Sequence, residues 1–150
     1  VLLLPAPAPA QAPALDPFPL VKGLRENGMA DLALDYLKEV VDPLAAKNAA
    51  IRETLLLERA KTLLEAADQA EDEAERVAML GVARDQFDQF LKGNPPPALA
   101  AEAAVAVARV ISLQAQSQLT RAAKAEDDTA EKAEALKARP RSLQTPGTGG

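Results

Sequence analysis

Apolar positions recur along this chain at three- and four-residue spacing, and short clusters of Pro, Gly, Asn and Asp interrupt them. Two long windows, 44–94 and 98–139, contain no proline and are rich in Ala, Leu, Glu, Lys, Arg and Gln, all good helix formers. The alternation of Val, Ile and Thr that marks strands is absent. The pattern predicts an all-α chain. A first helix spans 18–27 and ends at Gly28, which can take the left-handed conformation at a helix end. The second spans 30–41, with Ala33, Leu37, Val40 and Val41 on one face, and Asp42-Pro43 stops it. The third spans 44–69 with a stripe of Ile51, Leu55, Leu56, Ala60, Leu63, Leu64 and Ala67. In the fourth, 73–92, Val77, Leu80, Ala83, Phe87, Phe90 and Leu91 point inward. Gly81 costs that helix roughly 1 kcal/mol relative to Ala, or lets a neighbour approach closely. Gly93-Asn94-Pro95-Pro96-Pro97 closes it. The fifth helix spans 98–124, with Leu99, Ala103, Val107, Val110 and Ile111 inward. The sixth, 129–138, has an inner face that is mostly alanine and is expected to fray.

The run Asp68, Glu71, Asp72, Glu73, Glu75 lacks the alternating ligands, central Gly and terminal Glu of a calcium loop. Asp72 with Glu75 fits a capping box that starts the fourth helix, with the acids placed well against its positive end. Asp128 with Glu131 predicts a similar cap for the sixth. Ahead of the helices, 1–12 reads as a signal-peptide remnant or a Pro/Ala-rich segment: Val1-Leu2-Leu3-Leu4 precedes a small-x-small site at Ala10-Gln11-Ala12. The first reading implies an exported, periplasmic or extracytoplasmic protein, the second a cytoplasmic one. Residues 13–17 form a linker, and 140–150 has the composition of a disordered tail. No later run approaches the roughly 20 apolar residues of a membrane span, so no stable membrane insertion is expected.

Composition sharpens this picture. The chain is 48% hydrophobic but only 3% aromatic, and about 33 of its 150 residues are alanine, so the core is expected to be built from small side chains. There is no cysteine and no histidine. That excludes disulfides, thiolate nucleophiles, Cys/His zinc sites and a Ser-His-Asp mechanism within these residues. The formal charge of -5 argues against nucleic-acid binding, which needs a clustered positive surface. Asp31, Asp35, Glu39, Asp85 and Asp88 lie at helix-surface spacings with no apolar pocket implied around them, so paired-carboxylate catalysis is not expected. No catalytic, cofactor-binding or metal-ligating residue is assigned, and no cofactor is implied. The fifth helix is too poor in cations and bulky apolar residues for a membrane-surface helix.

Helix, turn, helix and proline follow one another as in a repeat. A shift of 55 residues brings Ala70-Glu71-Asp72 onto Ala125-Glu126-Asp127, and Ala83-Arg84 onto Ala138-Arg139. In ARDQFDQFLKGNP, Ala83, Phe87 and Pro95 have the spacing of the small residue, large residue and proline that end a tetratricopeptide repeat. In LRENGMADLALDYLKEVVDP, Gly28 occupies the inter-helix turn, Ala33 the small position and Leu37 the large one, with Pro43 two residues early. Over 18–139 the chain therefore resembles the tetratricopeptide-repeat (TPR) family. It departs from that family in three ways. Leu20 and Leu24 stand at the usual aromatic positions, the second unit runs to 50–55 residues, and in the third unit Ser142 stands where Phe87 does in the second while Pro140 breaks the helix.

The resemblance implies antiparallel helix-turn-helix hairpins, at about 18–42, 44–92 and 98–138, stacked as a short TPR-like α-solenoid. Gly28, Ala33, Leu37, Ala83, Phe87 and Pro95 would be its packing residues. It also implies a non-catalytic interaction or scaffold module that binds a protein or peptide segment on a helical concave surface. Lys22, Arg25, Lys47, Arg52, Arg59 and Lys61 are the candidate cations to face such a groove, although solvated helix charges are commonplace. The alternative is a structural fragment of a longer solenoid that self-associates through the C-terminal hairpin, with no ligand of its own.

Overall fold

The structure, a computed structural model, describes residues 3–5 and 15–138, all of whose regular secondary structure is helical. The cleavage-type site at Ala10-Gln11-Ala12, the tail 140–150, and Pro140 and Ser142 within it lie outside the described residues. The chain divides after Val110 into two compact units.

Helix α1, Phe18–Glu26, ends in a Schellman turn. Gly28 takes φ 72°; its N–H reaches the Arg25 carbonyl (3.0 Å) and the Met29 N–H reaches the Leu24 carbonyl (2.9 Å). Helix α2, Ala30–Tyr36, then runs without interruption into a π-helical turn, Leu37–Val41, and a last α-turn, α3, Asp42–Ala45. The expected stop at Asp42-Pro43 is thus corrected. Proline lacks an N–H and crowds the carbonyl four residues back, and the wider π-helical turn directly before Pro43 leaves room for it. The same turn accounts for the burial pattern. Ala33, Leu37, Val41 and Ala45 are all buried, at strict four-residue spacing, while Val40 is exposed. At about 100° per residue such a row overshoots by about 40° each step, and one wider turn brings it back onto the core. Val40, expected inside, loses its place to this row.

The helix ends at Ala45, and Ala46 and Lys47 turn the chain. Asn48 caps α4, Ala49–Gln69, by accepting from the N–H groups of Ala50 (3.0 Å) and Ile51 (3.4 Å). Asp72 caps α5, Glu73–Lys92, by accepting from the Glu75 N–H at 2.8 Å. Each cap is followed four residues later by an arginine that reaches back to the end of the preceding helix. Arg52 donates to the carbonyls of Ala45 (3.2 Å) and Ala46 (3.3 Å). Arg76 donates to those of Ala67 (3.1 Å) and Ala70 (2.6 Å). The two corners satisfy orphan carbonyls in the same way, 24 residues apart in the chain.

Helix α4 is central in the first unit. It runs along α5 on one side and meets α1, α2, the π-helical turn and α3 on the other. Because two sides of it are covered, Leu57, Thr62 and Ala66 are buried beyond the single expected stripe, whereas Leu56 and Leu63 are half-buried. Val21, Ala33, Leu37, Val41, Ala45 and Leu55 form one core cluster, with Phe18, Leu24, Tyr36 and Ile51 packed against it. In α1 the buried residue is Val21, and Leu20 is exposed. From α5, Leu80, Ala83, Phe87 and Phe90 point inward.

Helix α6, Pro97–Lys137, starts with proline at its first position, where the missing N–H costs nothing. It continues through 125–131, so the expected break there, the Asp128 cap, the separate sixth helix and the third hairpin are all corrected. The physical reason is visible by comparison with the first AED sequence. Asp72 is followed at four residues by Arg76, which ties the corner, whereas Asp127 is followed by Glu131, which has no donor for the carbonyls. Thr129 instead returns its hydroxyl to the Ala125 carbonyl (2.7 Å), a bond made within a running helix. Ala103 and Val110 are buried, but Leu99 and Ile111, expected inward, are exposed. The helix is also long and apolar enough, by length and composition alone, to cross a membrane, which corrects the expectation that no run approaches that length.

Candidate functional site

The first unit contains a cleft of about 420 Å³, walled by the first half of α4, the end of α5, the loop 93–96 and the first turns of α6. Its apolar surface comes from Leu56, Leu57, Phe90 and Leu99 together with Pro95 and Pro96. Polar atoms come from Thr54, Gln89 and Asn94, and carboxylates from Glu53, Glu58 and Glu102.

The sequence shapes this wall locally. Gly93 follows α5, and a β-carbon there would meet the Phe90 carbonyl at 3.3 Å. Asn94 takes the left-handed conformation, φ 50°, which asparagine tolerates better than most residues. The three prolines that follow hold their backbone angles fixed, so the loop is a stiff rim.

One side of the cleft is anchored by a chain of ion pairs. Arg25 of α1 meets the Glu58 carboxylate at 2.7 Å, with 9% and 13% of the side chains exposed. Arg25 also donates to the Thr62 hydroxyl (3.0 Å) and the Glu58 carbonyl (3.2 Å). Thr62 in turn donates to the Glu58 carbonyl (2.7 Å), so a fully buried hydroxyl is satisfied. Lys61 bridges Glu58 (3.1 Å) and Glu102 of α6 (2.6 Å). Farther along, Arg109 of α6 meets Asp68 (2.8 Å) and Glu65 (3.5 Å) of α4. Two cations thus balance Glu58 and Glu102, and Glu53 is the exposed carboxylate left at the rim.

Most of the candidate groove cations are engaged within the fold. Arg25 and Lys61 belong to the chain just described, Arg52 holds a helix end, Arg59 pairs with Asp42, and Lys22 pairs with Glu26 on the surface. Lys47 is exposed beside the Asn48 corner. Gly28 sits in the α1–α2 turn; Ala33, Leu37, Ala83 and Phe87 are buried in the core; Pro95 is half-buried in the cleft wall. Asp31, Asp35, Glu39 and Asp85 are exposed and Asp88 is half-buried. Among the described residues no group of three or more acidic side chains is arranged to hold a metal ion. Sequence reasoning missed the cleft because its members come from four separate segments. The one local signal was Gly-Asn-Pro-Pro-Pro, read as a helix stop rather than as a wall.

No family model, curated protein or solved structure matches the chain.

Proposed function

We propose that this chain is a non-catalytic, TPR-like interaction or scaffold module that receives an apolar side chain from a protein or peptide segment in the cleft between α4, α5 and α6. The observation that carries this is the cleft itself. Leucine, phenylalanine and proline surface is gathered beside a stiff loop, with polar groups at the edge to orient a backbone. Concave, mostly apolar sites with a few placed polar groups are where segments dock, and a wall that is already rigid loses little freedom on binding. Two of the three carboxylates at the cleft, Glu58 and Glu102, are held in ion pairs with Arg25 and Lys61, which favours binding over acid–base chemistry.

Peptide display against the full chain, with counter-selection against Leu99→Glu, tests the proposal. Leu99 is already 38% exposed, so the fold tolerates a charge there. Selected peptides are expected to share one bulky aliphatic or aromatic residue, and to bind the variant about tenfold more weakly. Peptides that bind both proteins equally well would contradict it.

A further inference from the structure

Two apolar rows run side by side along the continuous helical stretch 30–45. The first, Ala33, Leu37, Val41 and Ala45, is buried in the core. The second lies one residue earlier: Leu32, Tyr36, Val40 and Leu44. Tyr36 leans on the core cluster, whereas Leu32, Val40 and Leu44 remain 53%, 41% and 41% exposed. The buried row shows that four-residue spacing keeps to one line through the π-helical turn, so its neighbour is a straight stripe and not scattered leucines. A third row, Asp31, Asp35 and Glu39, borders the stripe on the side away from the core. All three acids are exposed, and none is ion-paired among the described residues. At the start of the stripe Asp31 also lines a polar hollow of about 340 Å³ with Glu71 and Glu75. No cation stands in either row; Lys38 is on the opposite flank.

We infer that this stripe docks an amphipathic helix of a partner protein, one that carries aliphatic residues at four-residue spacing beside a row of Lys or Arg. The apolar row needs an apolar row to cover it, and helices commonly supply one. The acidic row selects the sign of the partner's charge, since like charges set face to face across an interface are strongly disfavoured. A second copy of this chain, joined by an antiparallel two-fold contact, would bring Asp31, Asp35 and Glu39 against the same acids. An anionic membrane surface is disfavoured by the same repulsion. The surface shares no residue with the cleft.

The probe is a fluorescent synthetic helix with leucines at four-residue spacing and lysines on the adjoining row, titrated into the full chain by anisotropy. A control peptide carries Glu in place of every Lys. The lysine peptide is expected to bind, to weaken as salt is added, and to bind at least about tenfold more tightly than the control. The double variant Leu32→Ser/Val40→Ser, altered only at exposed positions, should lose about tenfold or more in affinity. Asp31→Asn/Asp35→Asn/Glu39→Gln should weaken binding and flatten its salt dependence, while Leu99→Glu leaves it unchanged. Equal binding of both peptides, no binding of either, or full affinity in the serine variant would overturn the inference. So would a solution mass that rises with concentration in the native chain but not in the serine variant, because the occupant would then be a second copy.

Discussion

Phe87 is the largest side chain buried without exposure, and its neighbour one turn back, Ala83, is fully buried as well. Truncating the ring leaves a cavity, so Phe87→Ala is expected to lower stability by about 3 to 5 kcal/mol in urea denaturation; a loss below about 1 kcal/mol would mean the ring is not core. Ala83→Leu overpacks the same region and should cost about 1 to 3 kcal/mol. Both positions were readable from helical spacing, because a large and a small residue four apart occupy one face whatever the neighbours are. Gly81 was not, since spacing alone leaves open whether a glycine admits a neighbour or merely weakens its helix. A β-carbon there meets open space, which decides the matter: Gly81→Ala should raise stability by about 0.5 to 1 kcal/mol. An unchanged or lowered denaturation midpoint would show that something does approach Gly81.

The helix ends were legible where one residue determines them and obscure where two must cooperate. Gly28 and Asp72 do in the structure what their residue types predict. Pro43 and Ala125-Glu126-Asp127 do not, because the outcome depends on a π-helical turn before the one and on a missing arginine after the other. Arg76 therefore carries the α4–α5 corner. Arg76→Met keeps the stem but removes the donors from Ala67 and Ala70, and charged hydrogen bonds of this kind contribute about 1.5 to 3 kcal/mol. The expected loss is about 2 kcal/mol, with amides near 70–72 exchanging faster by hydrogen-exchange mass spectrometry. Unaltered exchange at the corner would show that Asp72 alone suffices to hold it. A search for Asn or Asp followed four residues later by Arg would have found both corners in the sequence.

At the scale of the molecule, an all-α chain was legible from composition and period, whereas the grouping of its helices was not. A third hairpin was expected because acidic cap residues recur at 125–131, yet α6 passes straight through them. The central place of α4 was hidden because the predicted stripe omitted Leu57, Thr62 and Ala66, which are buried once the helix is covered on two sides. The cleft is the feature most dependent on tertiary structure: Leu56 and Leu57, Phe90, Pro95 and Leu99 are brought together only when α4, α5 and the start of α6 meet. A methyl-detected NMR titration of the full chain with a peptide selected by display tests this most directly. Binding in the cleft predicts saturable shifts confined to the methyl groups of Leu56, Leu57, Leu99 and Thr54, with those of Leu32 and Val40 unmoved. Saturable binding that leaves the cleft methyls unperturbed would contradict it.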